Sequence, residues 1–228
     1  MPTISKKGTL MPESPIRKLV PYAEKAKEKG VKVFHLNIGQ PDIETPSAAI
    51  EAIKNTNIKV LAYSKSEGNI ELRRKICNYY KKFNVSISES QIIVTSGASE
   101  ALLFTIGSIM DPGDEIIIPE PFYANYNGFS VANGVNIVPI FSSIDNNFAL
   151  PKIEEFENLI STKTKAILIC NPNNPTGYVY SKKEIKSLIE IVKKYKLFLI
   201  ADEVYREFTY DDATHTSIMD FEEINQNS

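Results

Sequence analysis

The sequence predicts an α/β fold in which a mostly parallel sheet carries helices on both faces. From Gln91 onward, short apolar runs recur at residues 92–95, 115–118, 137–141, 166–170 and 198–201. Helix-length stretches separate them at 99–109, 123–133, 152–160 and 182–195. Strands that alternate with helices need crossover connections, which make neighbouring strands parallel and bury both faces of the sheet.

The elements follow in chain order. Pro21 to Lys29 is charged and helix-permissive, and Gly30 supplies a stop. Val31-Lys32-Val33-Phe34-His35-Leu36 alternates loosely and predicts a strand, followed by a loop at Asn37-Ile38-Gly39-Gln40-Pro41-Asp42. Thr45-Pro46 predicts an N-cap with proline at the first helical position, with Ile50 and Ile53 on one face. Residues 69–83 predict a helix whose stripe of Leu72, Ile76, Tyr79, Tyr80 and Phe83 packs on the core. Its cations Arg73, Arg74, Lys75 and Lys81 are expected on a solvated face. Asp111-Pro112-Gly113-Asp114 is a turn between units. Residues 211–228 are polar and weakly patterned, with no closing strand or helix expected, so the sequence reads as cut short.

Composition narrows the class. A chain of 228 residues, 43% hydrophobic, buries roughly 70–75% of its unfolded surface. Its apolar runs reach about five residues, against about 20 for a membrane span. No apolar segment of the secretory type follows Thr3-Ile4-Ser5-Lys6-Lys7. Two cysteines, Cys77 and Cys170, are too few for a disulfide framework and fit a reducing compartment. A net charge of −2 gives no basic footprint for nucleic acid. The expectation is a cytoplasmic globular protein with neither nucleic acid nor membrane as partner. His35 and His215 are isolated, without metal-ligand spacing.

In open parallel sheets, ligands bind beyond the carboxyl ends of the strands. The first expected strand is followed by Ser96-Gly97-Ala98-Ser99-Glu100, either a phosphate cradle or a plain turn with a serine cap. The second leads to Pro119-Glu120-Pro121-Phe122-Tyr123, whose aromatics either stack on a flat ring or fill the core. The fourth leads to Asn171-Pro172-Asn173-Asn174-Pro175-Thr176-Gly177, the most specific signal in the chain. Its prolines restrict the backbone and its amides can donate to a ligand oxygen. The fifth ends in Asp202-Glu203-Val204-Tyr205, where the acid is either structural or the partner of a ligand cation. Cys170 is expected as a small buried apolar residue.

These residues resemble the class I/II aminotransferases, pyridoxal-phosphate enzymes of fold type I. Asn37 to Asp42, Tyr63 with Glu67-Gly68 and Leu72-Arg73, Ser96 to Leu102, Pro121-Phe122-Tyr123, Asn171 to Gly177 and Ala201 to Tyr205 carry the resemblance. It implies an N-terminal arm and part of a small domain at 1–45, and an incomplete large domain at 46–228 that binds pyridoxal 5'-phosphate. It further implies that Ala98 and Ser99 hold the cofactor phosphate, Tyr123 stacks on the ring, and Asn174 and Tyr205 hydrogen-bond its phenolic oxygen. Asp202 would pair with the ring nitrogen and keep it protonated, so that the ring withdraws electrons. Gly39 would approach the substrate carboxylate, and Tyr63 the cofactor phosphate of a neighbouring subunit in a homodimer. The implied reaction moves an amino group between an amino acid and a 2-oxo acid. In the family the Schiff-base lysine lies in a Ser-Lys element downstream of Asp-Glu-x-Tyr, and the sequence holds no matching element. Ser5-Lys6, Ser64-Lys65 and Ser181-Lys182 stand in the wrong order and context. The fragment alone is therefore expected to be inactive, to bind the cofactor without a covalent anchor, and to need a complementing C-terminal chain. A non-catalytic binding protein is the competing reading.

Overall fold

A computed structural model describes residues 2–224. In the N-terminal part, α1 (Lys6–Leu10), α2 (Val20–Glu28) and α3 (Ser47–Lys54) precede the longer α4 (Ile70–Lys81). Then α5 (Ala98–Ile109), β1 (Glu115–Glu120), α6 (Asn125–Asn133), β2 (Asn136–Phe141), α7 (Ile153–Leu159), β3 (Thr164–Cys170), α8 (Lys182–Tyr195) and β4 (Phe198–Asp202) alternate along the chain. The four strands form one parallel sheet in the order β2-β1-β3-β4.

Side-chain alternation sorts the core into two layers. Ile117, Ile167, Ile169 and Leu199 face Phe156 of α7 and Ile185, Leu188, Ile189 and Val192 of α8. Ile116, Ile118, Ala166, Leu168 and Cys170 face Leu102 and Ile106 of α5 and Tyr126 of α6. Both faces of β3 are covered, and only Lys165 on it is exposed. Each such aliphatic side chain contributes about 1.5–3 kcal/mol by leaving water. The start of α8 is fixed by a reciprocal cap, with Ser181 Oγ accepting from the Glu184 amide and the Glu184 carboxylate accepting from the Ser181 amide.

Several expectations fail for identifiable reasons. Residues 31–36 and 92–95 form no strand, because a strand needs a ladder. Among the backbone bonds of 92–95, Val94 N–H donates to the Glu67 carbonyl at 3.1 Å, and Ile93 stays 70% exposed. At α3, Pro46 itself occupies the N-cap position, and no side chain caps the helix. Arg73 is not on a solvated face. It is buried, donating to the Glu89 carbonyl at 2.8 Å and lying 3.3 Å from the Glu67 carboxylate. As expected, the described residues after Asp211 form no strand or α-helix, but short turns at Ile218–Asp220 and Glu222–Ile224 bury Ile218 and Ile224. Residues 225–228 lie outside the described part.

The strand order has a functional consequence. From β1 the chain moves outward to β2, whereas from β3 it moves the other way to β4. The loops leaving β1 and β3 therefore diverge, which opens a crevice at their carboxyl ends, the switch point where doubly wound sheets bind ligands.

Candidate functional site

A cleft of about 230 Å³ occupies that switch point. It is lined by Ser96, Gly97, Ala98 and Ser99 before and in α5, Tyr123 after β1, Cys170 and Asn174 at and after β3, and Asp202, Val204 and Tyr205 at and after β4. Six residues expected at a site (Ala98, Ser99, Tyr123, Asn174, Asp202 and Tyr205) are thus brought together from four separate segments. Gly39 and Tyr63 are not. Gly39 has open space where a Cβ would stand, and Tyr63 is fully exposed. The volume is below the ~300–1,000 Å³ typical of clefts for drug-sized ligands and suits a single substituted ring.

The start of α5 is built by glycine rather than by a serine cap. Gly97 takes φ +94° at the N-cap position and offers no side-chain acceptor. Ser99 is already inside the helix, so the alternative of a plain turn with a serine cap does not hold. Thr95 Oγ1 donates to the Gly97 carbonyl at 2.9 Å, and the Ser96 amide donates to Glu100 Oε2 at 2.7 Å. The helix's first amides therefore meet the cleft without a side-chain acceptor in front of them, the arrangement that attracts anions.

Of the three aromatics after β1, Tyr123 lines the cleft, whereas Phe122 packs against the core and Tyr126 is buried in it. Because α6 begins at Asn125, Tyr123 sits on the loop, where its hydroxyl accepts from Asn125 Nδ2 at 2.6 Å. Tyr126 stands edge-on to it at 5.5 Å and is 1% exposed. The loop after β3 divides its asparagines in the same way. Asn171 is buried, donating to the Thr216 carbonyl at 2.9 Å and accepting from the Tyr180 amide at 3.1 Å. Asn173 Oδ1 accepts from the amide and hydroxyl of Thr176 at 3.1 and 2.9 Å. Only Asn174 turns to the cleft, donating to the Tyr205 hydroxyl at 3.1 Å.

Among the described residues, Asp202 pairs with no lysine. Oδ2 accepts from the Tyr126 hydroxyl at 2.8 Å and Oδ1 from the Val204 amide at 3.2 Å. Tyr126 escaped the sequence reading, although a third aromatic close behind Phe122 and Tyr123, at the start of a helix that leaves a strand end, was a usable signal. Burial, then the neighbouring Cys170 and Asp202, push its phenol far above the ordinary range, so it stays a donor to the carboxylate. Cys170 lines the cleft as well as the core, and its thiol donates to the Pro172 carbonyl at 3.2 Å. Burial and then Asp202 push that thiol up to about 11. An acid at one wall, open helix amides at another and an amide–phenol pair between them suit a flat ligand with a cationic nitrogen, a ring oxygen and a phosphate.

Residues 31–226 match the family described as aminotransferase class I and II. The aspartate aminotransferase of Thermotoga maritima is 39% identical over 221 residues, covering 92% of this chain and 57% of the relative. The crystal structure of aspartate aminotransferase from Thermotoga maritima superposes with a TM-score of 0.88 at 34% identity, over 95% of this chain and 58% of that one. An alanine aminotransferase from Pyrococcus furiosus follows at 0.86 and 35%, over 95% and 56%. The chain thus spans a little over half the length of these relatives. Members of this family use pyridoxal phosphate. On the order of its motifs, the strand-end cleft they build and the matches on either measure, the chain belongs to the class I and II aminotransferases.

Proposed function

We propose that the switch-point cleft binds pyridoxal 5'-phosphate, and that the protein serves the transfer of an amino group between an amino acid and a 2-oxo acid. The observation that carries this reading is Asp202, seated in the cleft at the end of β4 beside the Asn174–Tyr205 pair. The fit is chemical: uncapped amides for a phosphate, an acid for a pyridine nitrogen, two hydrogen-bonding groups for a phenolic oxygen.

When bound, the cofactor supplies an electron-poor ring that accepts the electron pair left as a substrate C–H bond breaks. In this reading the chain's own groups do the following. Asp202 holds a proton on the ring nitrogen, with Tyr126 fixing the carboxylate. Asn174 and Tyr205 bond the ring oxygen, Tyr123 covers the ring face, and Ala98 and Ser99 hold the phosphate. Gly39 meets the substrate carboxylate, and Tyr63 reaches the phosphate held by a second copy in a homodimer. The exposure of Tyr63 and Leu61 supports such an assembly, and two free cysteines support a cytoplasmic setting. Domain limits of 1–45 and 46–228 belong to the same reading. No helix of the described residues is long and apolar enough to cross a membrane.

The test is fluorescence titration with pyridoxamine 5'-phosphate, which has no aldehyde to react with surface lysines. Saturable one-to-one binding that Asn174→Ala weakens is expected, and the absence of saturable binding overturns the reading. Among the described residues, no lysine lines the cleft. Borohydride reduction of the pyridoxal phosphate complex is therefore expected to label no single lysine, and stoichiometric reduction onto one residue would contradict that. In sedimentation, Tyr63→Ala with Leu61→Ser is expected to reduce self-association of the chain, and an unchanged profile would count against the homodimer.

A further inference from the structure

From Asp202 to Arg206 the residues divide between two sides. Asp202, Val204 and Tyr205 line the cleft, whereas Glu203 and Arg206 are held behind it. The turn that produces this is closed by the Arg206 amide on the Glu203 carbonyl at 3.0 Å and the Phe208 amide on the Tyr205 carbonyl at 2.8 Å. Arg206 lies over aromatic rings at and just after the end of α4, its guanidinium carbon 4.4 Å from the Phe83 ring centre and 4.9 Å from that of Tyr80.

Glu203 carries the tighter anchor. Its side chain is 11% exposed, and both carboxylate oxygens lie 2.9 Å from the Ser217 hydroxyl. The Ile218 amide donates to the same carboxylate at 3.1 Å, and His215 Nε2 stands 3.8 Å away. An acid this buried is costly without such donors. Thr216 lies within the same stretch and accepts from Asn171 Nδ2 with its carbonyl, while the Asn171 amide donates to the Asp202 carbonyl at 2.9 Å. The stretch 215–218 is therefore bonded both to the residue after β3 and to the residue after β4. These are the two backbones that deliver Asn174 and Tyr205.

We propose that Glu203 is a positioning residue, which through Ser217 and the Thr216–Asn171 bond sets the approach of Asn174 to Tyr205 and the aim of Asp202. Its consequence for cofactor binding rests on the reading given under Proposed function; the geometric claim does not. A local role would be felt only by the partners of Glu203. A positioning role must reach Asn174 and Tyr205, which Glu203 does not touch.

The experiment is side-chain NMR of the full ligand-free chain carrying Ser217→Ala or Glu203→Gln, with Ile185→Val on α8 as a core change that removes none of these bonds. Glu203→Gln keeps an accepting oxygen and removes the charge, so it remains informative if Ser217→Ala folds poorly. Both variants are expected to shift the Asn174 side-chain amide and Tyr205 ring resonances, and Ile185→Val to leave them in place. Pyridoxamine 5'-phosphate should bind both variants about tenfold more weakly, the order of effect of one lost charge-assisted hydrogen bond. Changes confined to 203 and 215–218, with Asn174 and Tyr205 unmoved, would overturn the proposal. Failure of the unaltered chain to bind the probe would overturn the cofactor reading instead, while the resonances would still decide the positioning role.

Discussion

Two helices of comparable pattern meet opposite fates in this chain. In α3, Ile50 and Ile53 share a face, yet the helix buries nothing. In α8, Ile185, Leu188, Ile189, Ile191 and Val192 are all buried against the sheet. The apolar stripe forms the helix in both cases, but only a sheet face supplies the cover that turns a stripe into stability. The same contrast separates the described segment before α4, where Leu36 is 94% exposed, from the strand-and-helix unit.

That contrast is broken most sharply by truncating one aromatic in each region. Phe156→Ala, in the layer between α7, α8 and the sheet, is expected to cost about 3–5 kcal/mol in urea denaturation. Phe34→Ala, at a 69% exposed position, is expected to change stability by less than about 0.5 kcal/mol. Comparable losses would mean that the N-terminal segment is packed as firmly as the sheet.

The second test uses pH. The Cys170 thiol is raised from 9.0 to about 11 in the folded chain, so the unfolded chain releases its proton first as pH rises. The stabilisation is complete below pH 9 and is lost as pH climbs towards 11, by about 2–3 kcal/mol in all. Cys170→Ala should flatten the fall between pH 9 and 10. Tyr126, raised by burial in the same direction, keeps a decline above pH 10. A stability that rises through this window would contradict the buried, neutral pair beneath Asp202.

Gly68 joins the two regions and gives the smaller effect. It holds φ +97°, and a Cβ there would stand 2.6 Å from Val94 Cβ. Gly68→Ala is expected to cost about 1–3 kcal/mol. A neutral result would show that residues 92–95 are free to move away from this turn.

Much of this was legible in the sequence, and the boundary of legibility is physical. Runs such as Ala166 to Cys170 announce a strand buried on both faces, and the loop from Asn171 to Gly177 announces its site, because both depend on neighbours in sequence. Tyr126 with Asp202 is separated by 76 positions, and Asn171 with Thr216 by 45, so neither pairing could be read before the sheet order was known. Residues 92–95 show the converse error. Their composition suits a strand, but composition supplies no ladder partner. Arg73 looked like one more surface cation until the Glu89 carbonyl and Glu67 were seen to enclose it.

The central claim is that Asp202, fixed by Tyr126, keeps a ring nitrogen protonated in the cleft. It is tested most directly by ¹⁵N NMR of pyridoxamine 5'-phosphate labelled at the ring nitrogen and bound to the chain. A pyridinium resonance that persists at pH values where the free ligand is neutral is predicted, together with its loss in Asp202→Asn while binding through Ala98, Ser99 and Asn174 continues. A neutral-pyridine resonance in the unaltered chain, or an unchanged pyridinium resonance in Asp202→Asn, would contradict the account.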